Sequence, residues 1–460
     1  MRYRIREIAA ERKFCDELRL EALERVIPID AVREALDQTR RHHQRHRKLT
    51  AEATLHLVIA MSLFPSLSVR DAFARLAHGL RFIWPDPDLP LPKDSALSTR
   101  RSLLGPRPLA ALFRRVARPL ATAATPGAFA FGLRVMAIDG SRENVPDTPE
   151  NLAAFGRPKG RKGEGAFPQV HGVYLVECGT HAICDLGFWP GARNERTGAF
   201  RLLRSVGDGM LLLLDAGLYG FLLVEAVLAR RAEVIVRLPG HVKPALVRRL
   251  KDGTTLSAIS SPDDAGARRQ VLARVITYTV PDPKNPERRK TCRLLTTLLD
   301  EHAYPALDLV CLYHERWEIE LVFDEIDTHQ RLADGVLRSL RPLGVIQELY
   351  GLALAHFAVR FLMHEAGVEA KLDPRRLSFV GAVHLIQQAV PEFQIVSIAQ
   401  RAALYARLLR DIAAKRLPAR RPRSNPRVVK RQQSHFNRKR ALHYSWPRVE
   451  KPFRELVLLI

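Results

Sequence analysis

Long apolar runs are missing from this chain of 460 residues. Although 47 % of its residues are hydrophobic, no uninterrupted apolar stretch approaches the roughly 18 to 20 residues that a membrane span needs. The start of the chain, MRYRIREIAAERKF, also lacks the continuous apolar segment of a secretory signal. These absences predict a soluble, cytoplasmic protein.

Cysteine is scarce and scattered, because the chain has only five cysteines and no CxxC pair. A zinc centre or a redox site built on such a pair is therefore excluded. The cysteines are expected to be mostly small buried residues in a reducing compartment. They are Cys15, Cys178, Cys184, Cys292 and Cys311.

Acidic residues are strongly outnumbered, with 49 Asp and Glu against 73 Lys and Arg and a formal net charge of +24. Self-repulsion at such a charge costs stability, so a polyanionic partner is expected. No basic stretch also has a large aromatic-rich apolar face, which favours nucleic acid over a membrane. The length predicts about two to four domains.

One basic cluster, RRHHQRHRK, spans residues 40–48. A solvated, charged helix end and a contact with DNA phosphates are both open interpretations. His42 and His46 have the i,i+4 spacing of a metal pair, but no acid or third ligand stands nearby, so metal binding is disfavoured. The candidate DNA contacts are Arg45, Arg47 and Lys48.

A second basic cluster, residues 415–440, contains eleven Lys or Arg and no Asp or Glu. Such a run is usually solvated and partly disordered. Aromatic residues (Phe436, Tyr444 and Trp446) are interleaved at its end, so an arm that orders on DNA is the alternative. The candidate DNA contacts are Arg421, Arg423, Lys430 and Arg431.

Hydrophobic periodicity predicts a helical N-terminal part over residues 16–84, a proline-rich crossing over 84–94, and then an α/β layout. Strands are predicted over 134–140, 169–178, 181–189, 210–217 and 232–238, and helices near 195–205 and 219–230. Residues 239–298 are β-rich and look like an insertion. Helices are predicted over 305–329 and over 344–365, and the second is apolar enough to be buried.

Two aspartates follow β-prone segments. Asp139 stands at the end of RVMAIDG, and Asp215 follows LLLL. This places both carboxylates at the carboxyl ends of strands, where α/β sheets build their sites. Taken singly, each is more readily explained as a turn aspartate.

A third acid lies on the predicted helix YHERWEIELVFDEID, residues 313–327. An ideal helix places one polar face within about 40° of Glu320. An amphipathic helix with a solvated acidic face would show the same pattern. That face consists of Tyr313, Arg316, Glu320, Asp324 and Asp327.

The set of three acids suits phosphodiester chemistry. In-line displacement at an anionic phosphorus can be driven by two Mg²⁺ ions about 3.5 to 4 Å apart, one on the attacking and one on the leaving oxygen. Hard cations prefer carboxylate oxygens, and no nucleophilic side chain is then needed. The pairing of an acidic helix face with Asp139 and Asp215 in a basic protein points to this chemistry.

The sequence resembles the DDE transposases of bacterial insertion sequences, in particular the insertion sequence 4 family. Tyr313, Arg316 and Glu320 match the first three positions of that family's Y-x2-R-x3-E-x6-K signature. Similar blocks are AIDGSRENVPDTPENLAAFGRPKG, LLLLDAG, RLLTTLLDEHAYPALDLVCLYHERWEIEL and the N-terminal IPIDAVREALDQTRRHHQRHRKLTAEATLHLVIAMSLFPSLSVRDAF. The resemblance covers nearly the whole chain.

The resemblance implies an RNase H-like mixed sheet flanked by helices, with a β-rich insertion and a helical N-terminal domain. Asp139, Asp215 and Glu320 would be the catalytic residues and ligands of two Mg²⁺ ions, with Mn²⁺ as a substitute, while Tyr313 and Arg316 would grip DNA phosphate. The implied domains are an N-terminal DNA-binding domain (1–125), a catalytic core in two parts (126–238 and 299–342), the insertion (239–298), and a helical C-terminal region with the basic tail (343–460).

The family implies cut-and-paste cleavage and strand transfer at terminal inverted repeats, through a DNA hairpin and by a homodimer on paired ends. Two positions depart from the family pattern: Asp327 replaces the lysine of the signature, and Ala216 stands where relatives often have arginine. A metal-dependent nuclease without strand transfer and a decayed, catalytically weak DNA-binding homologue are the alternatives.

Overall fold

The computed structural model describes residues 3–9, 11–41, 49–86, 88–160, 163–261, 269–282, 285–331 and 337–418. The N-terminal part is helical, as predicted. Within the described residues, its α-helices are α1 (Phe14–Glu17), α2 (Ile29–Gln38), α3 (Ala51–Leu63), α4 (Val69–Leu76), α5 (His78–Phe82), α6 (Asp94–Leu104) and α7 (Arg107–Val116). Helix α3 is buried on all sides and is capped by Thr50, whose side chain accepts from the Ala53 N–H.

The central sheet begins with the five predicted strands. They are β1 (Leu133–Asn144), β2 (Gln169–Glu177), β3 (Ala182–Pro190), β4 (Met210–Leu214) and β5 (Glu233–Arg237). The predicted hairpin over β2 and β3 is confirmed, and the apolar run of β4 is buried on both faces. The helices between these strands are α8 (Pro149–Phe155), α9 (Glu195–Leu202) and α10 (Phe221–Leu228).

The strand order β3-β2-β1-β4-β5 is that of an RNase H-like sheet. β1 pairs in parallel with β4, and β4 with β5, whereas β2 is antiparallel to both of its neighbours. Parallel strands need crossover connections, and α9 and α10 supply them. The predicted mixed α/β fold is therefore confirmed.

The β-rich segment after β5 folds as four antiparallel strands. They are β6 (Ala245–Arg249), β7 (Thr255–Ser260), β8 (Gln270–Asp282) and β9 (Asn285–Thr296). β9 pairs with β5, so these strands extend the central sheet, in the order β5-β9-β8-β7-β6. The sequence pattern predicted the strands but did not indicate that they continue the same sheet.

The predicted helix over 305–329 is present but is not one ideal helix. α11 (Ala306–His314) passes through a 3₁₀ turn (Glu315–Trp317) into α12 (Glu318–Asp324), and a π-helical stretch (Glu325–Gln330) follows. A 3₁₀ turn winds more tightly than an α-helix and a π-helix more loosely. The ideal 100° spacing that placed Asp327 on the face of Glu320 is therefore wrong for the end of this helix.

Three helices complete the described structure: α13 (Pro342–Ala370), α14 (Phe379–Ile395) and α15 (Arg401–Ala414). Helix α13 packs against α3 and α7, so the first and the last helices share one hydrophobic core. By length and composition α13 could cross a membrane, but 89 % of its apolar window is buried within the protein. The prediction that this segment is buried is confirmed.

Shorter elements join these parts. Residues Phe129–Ala130 pair with β1, and Lys159–Gly160 pairs with Gly163–Glu164 in a two-stranded ribbon. Single 3₁₀ turns lie at Glu21–Leu23, Leu203–Ser205, Pro374–Arg376 and Ile398–Gln400.

Candidate active site

Two aspartates lie side by side where the central parallel strands end their pairing. β1 and β4 are in register up to the residues that immediately precede Asp139 and Asp215, so the aspartates follow as neighbours. Each carboxylate accepts one backbone N–H, Asp139 from Gly140 at 2.9 Å and Asp215 from Leu218 at 3.0 Å. Asp139 does not end β1, which continues to Asn144 in pairing with β2.

Glu320 reaches the same place from helix α12, which packs against β1. Arg316, one turn earlier on the same helical segment, connects Glu320 to Asp139. Its Nη1 donates to Asp139 Oδ2 at 2.8 Å, and its Nη2 donates to Glu320 Oε1 at 3.3 Å. The three side chains are only partly exposed, at 18 %, 16 % and 31 % for Asp139, Arg316 and Glu320. Arg316 thus bridges a strand acid and the helix acid.

Tyr313 fixes the start of this helical segment to the sheet. Its hydroxyl donates to the backbone carbonyl of Leu214 at 3.1 Å, directly before Asp215. Burial raises the pKa of Tyr313 to about 12, so the phenol stays a donor at neutral pH. The predicted phosphate contacts of Tyr313 and Arg316 stay predictions.

The carboxylates stand in a partly dehydrated pocket. Burial raises the pKa of Asp139, and the nearby charge of Asp215 adds to the rise, while the guanidinium of Arg316 opposes it. Carboxylates held this close together need positive charge between them. Arg316 supplies one such charge.

Carboxylate oxygens at this position fit a hard divalent cation. Asp139 and Asp215 are oriented by backbone N–H groups, which leaves further lone pairs for a ligand. Within the described residues, no three acidic, histidine or cysteine side chains are grouped closely enough to hold a metal ion. Because Arg316 contacts both Asp139 and Glu320, it occupies part of the space between these acids.

A fourth acid, Glu195, lies in the same pocket, although no motif in the sequence indicated a role for it. A Cβ atom on Gly140 would lie 2.7 Å from Glu195 Oε1 and 2.6 Å from His171 Nε2. Burial raises the pKa of Glu195 to about 7, with Asp139 and Asp215 contributing. The only signal in the sequence was a glutamate at the start of the predicted helix 195–205.

Asp327, at the lysine position of the family signature, faces a cation of this chain. Its carboxylate accepts from Arg331 Nη1 at 3.2 Å, and Arg331 also pairs with Glu143. Burial raises the pKa of Asp327 to about 6, and the charge of Asp324 adds to the rise. Arg331 therefore provides a positive charge close to the position where relatives carry lysine.

Several predicted contacts lie outside the described residues. They are the basic residues Arg45, Arg47, Lys48, Arg421, Arg423, Lys430 and Arg431, together with the histidine pair His42 and His46. Their roles stay predictions.

Two family models match the chain. The model of the insertion element 4 transposase N-terminal region matches residues 17–114, and that of the transposase DDE domain matches residues 130–358. The second match contains all three acids of the site and the complete central sheet.

Curated relatives agree with these matches. The chain is 30 % identical over 398 residues to the transposase InsG for insertion sequence element IS4 of Escherichia coli (strain K12), which covers 84 % of this chain and 86 % of the relative. The putative transposase InsZ of the same organism is 28 % identical over 126 residues, 27 % of this chain and 42 % of that protein.

Among solved structures, the piggyBac transposase synaptic complex with hairpin DNA covers 88 % of this chain and 86 % of its own, with a TM-score of 0.45 and 13 % identity. The assignment to a family rests on the sequence matches, which extend from the N-terminal helices to the segment of α11 and α12 that carries Glu320, the glutamate helix. The chain belongs to the DDE transposases of the insertion sequence 4 family.

Proposed function

We propose that this transposase moves its insertion sequence by cut-and-paste, with Asp139, Asp215 and Glu320 as the catalytic metal ligands. The observation that carries the proposal is the strand register of β1 and β4, which sets the two aspartates side by side, with Glu320 joined to Asp139 through Arg316. The cofactor is two Mg²⁺ ions, for which Mn²⁺ substitutes.

Divalent ions bound by these acids would activate the attacking oxygen and neutralise the leaving oxygen. The protein's own residues fix the geometry of the acids. Backbone N–H groups orient Asp139 and Asp215, and the hydroxyl of Tyr313 ties the glutamate helix to the end of β4. Arg316 and Tyr313 then bind phosphate at the cut end of the DNA.

The proposed reaction has four displacements. Water attacks the phosphate at the element end, so that a P–O bond forms, the bond to the 3′ oxygen breaks and a 3′ hydroxyl is freed. That hydroxyl attacks the opposite strand, which closes a hairpin at the element end and releases the flanking DNA. After the hairpin is opened by water, the 3′ hydroxyl attacks the target DNA.

The proposed partners are the terminal inverted repeats and the target DNA, both double-stranded, with a homodimer holding the two ends. The charge of +24 supports a DNA partner. The segments 1–125, 126–238, 239–298, 299–342 and 343–460 are the proposed domains. No disulfide joins any of the five cysteines within the described residues, and three of them are buried.

Strand transfer tests the proposal. The protein is incubated with Mg²⁺, an end-labelled fragment that carries the element end, and an unlabelled plasmid. A transposase joins the labelled 3′ end to the plasmid, giving a larger labelled product. Cleavage without joining would identify a metal-dependent nuclease, and binding without cleavage a decayed homologue, the alternative that Asp327 and Ala216 leave open.

Truncation of the basic tail should weaken binding to all DNA sequences alike. The chain is cut after Pro418, because Leu417 and Lys415 still hydrogen-bond to Arg376 and Ser378. Phosphate contacts release counterions without reading bases, so the slope of log K against log salt should also flatten. Both quantities are measured by fluorescence anisotropy with specific and scrambled DNA.

The matched control for this truncation keeps the length of the tail. In it, Arg421, Arg423, Lys430 and Arg431 are replaced by glutamine, which should reproduce most of the effect. A truncation that changed sequence preference at an unchanged salt slope would contradict the proposed role of the tail.

A further inference from the structure

We propose that Glu195 is a fourth carboxylate of the active site and binds a divalent metal ion together with Asp139. This inference rests on the proposed function, because it takes Asp139 as a metal ligand. It adds to the three acids a residue that the family signature does not contain. Glu195 is thus a metal ligand of the reaction centre, not a residue of the helix surface.

The position of Glu195 is fixed by close packing of its helix. α9 begins at Glu195 and is capped by Asn194, whose side chain accepts from the Arg196 N–H at 3.0 Å. At Gly198, one turn later, a Cβ atom would lie 2.4 Å from a methyl carbon of Val173. The helix therefore lies directly on the sheet, which makes the first residue of α9 a rigid site for a ligand.

Space for the carboxyl group comes from Gly140. This residue directly follows Asp139 on β1, and any side chain at position 140 would collide with Glu195 Oε1. His171 Nε2 approaches the same position from β2, while His171 Nδ1 lies 3.0 Å from the carbonyl oxygen of Arg193. The carboxyl of Glu195 thus lies beside that of Asp139.

Oxygen Oε1 of Glu195 is buried and makes no hydrogen bond of standard geometry within the described residues, although the carboxyl group interacts with the Gly140 N–H and with the carboxyl of Asp139. A buried carboxylate with a structural role looks different in the same protein. Glu177 accepts from the backbone N–H groups of Leu120 and Ala121, both at 2.9 Å, and from Thr180 and Arg134. A buried carboxyl group with so few donors, placed beside a second carboxyl group, is stabilised by a cation between them.

The balance of charge in the site also indicates a bound divalent cation. Four carboxyl groups, those of Asp139, Asp215, Glu195 and Glu320, share the site with the guanidinium of Arg316, which contacts Asp139 and Glu320. Two divalent ions would bring enough positive charge to balance the four acids.

Binding of Mn²⁺ to the full-length protein tests this assignment without any DNA. Free Mn²⁺ is followed by electron paramagnetic resonance during a titration of wild type, Glu195→Gln and the control Glu150→Gln, an exposed glutamate in the first turn of α8. We expect Glu195→Gln to lose one of two bound ions, or to bind it about tenfold or more weakly. Glu150→Gln should bind as wild type does.

A purely structural role is separated by thermal unfolding. If Glu195 is a ligand, Glu195→Gln without metal unfolds at the wild-type temperature or above it, and Mn²⁺ raises that temperature less than in wild type. A lower unfolding temperature without metal, with wild-type Mn²⁺ binding, would overturn the assignment. If Asp139→Asn and Asp215→Asn also bind Mn²⁺ as wild type does, the proposed active site fails. If Glu195→Gln alone binds Mn²⁺ as wild type does, only the assignment of Glu195 as a ligand fails.

Discussion

Replacing Asp139, Asp215 or Glu320 by alanine should abolish DNA cleavage while binding to the element end persists. Each change removes a metal ligand but few phosphate contacts, so we expect the cleavage rate to fall by on the order of 10³-fold or more. Cleavage is measured on end-labelled DNA at saturating protein, and binding is measured by gel shift on the same fragment. Asp139→Ala also frees Arg316 from one of its two carboxylate partners.

The control for these three variants is Asp308→Ala. Asp308 is an exposed aspartate in the first turn of α11. Its replacement removes one negative charge, as each of the three variants does, and it precedes Glu320 on the same helical segment. It should cleave DNA at the wild-type rate. If any of the three active-site variants kept more than a few per cent of wild-type cleavage, that residue would not be a metal ligand.

Much of the proposed active site could be predicted from local patterns. The run LLLL before Asp215 is a strand buried on both faces, and the apolar segment before Asp139 is its parallel neighbour. Local hydrophobicity determines where such strands lie, and strand ends are where sites form. The contact between Arg316 and Glu320 follows from their i,i+4 spacing.

Glu195 could not be predicted in this way, because its role depends on three distant segments. Its carboxyl reaches the site only because Gly140 has no side chain and because Gly198 lets α9 approach β2 closely. No periodic pattern in the sequence connects these positions. A single glutamate at a helix start is ordinarily explained by the helix dipole alone.

The prediction for the end of the glutamate helix was wrong for a different reason. An ideal helix assumes one hydrogen-bonding pattern, but the chain changes to a π-helical stretch at Glu325. Asp327 then pairs with Arg331. The residues that turn inward at this point are Glu318 and Glu325, both buried. Burial of charged residues is set by partners from other elements, which the local sequence does not reveal.

Those partners form a buried polar network behind the glutamate helix. The guanidinium of Arg360 pairs with Glu325, and its Nη2 lies 2.7 Å from His181 Nδ1. On its other side, His181 Nε2 donates to Glu318 at 2.7 Å, and His356 Nε2 donates to Glu325 at 3.0 Å. The network connects α12 and the π-helical stretch to α13 and to the turn between β2 and β3.

Arg360→Met should strongly destabilise the protein. Methionine fills a similar volume but leaves the carboxylate of Glu325 buried without a cation. Burial lowers the pKa of His181 to about 4 and that of His356 to about 3, so neither histidine supplies a positive charge at neutral pH. Breaking a buried pair in this way costs about 3 to 5 kcal/mol of unfolding free energy. Urea unfolding followed by circular dichroism measures the change.

Two further variants show whether the loss comes from the uncompensated charge. Adding Glu325→Gln to Arg360→Met removes the stranded carboxylate and should restore a large part of the lost stability, because the two residues are directly coupled. Arg231→Met, which breaks an exposed pair with Asp208, should cost less than about 1 kcal/mol. If Arg360→Met cost no more than Arg231→Met, the network would not be what holds the glutamate helix in place. Because Glu318 and Glu325 flank Glu320 on the same helical segment, a destabilised network should also lower DNA cleavage in the variants that still fold.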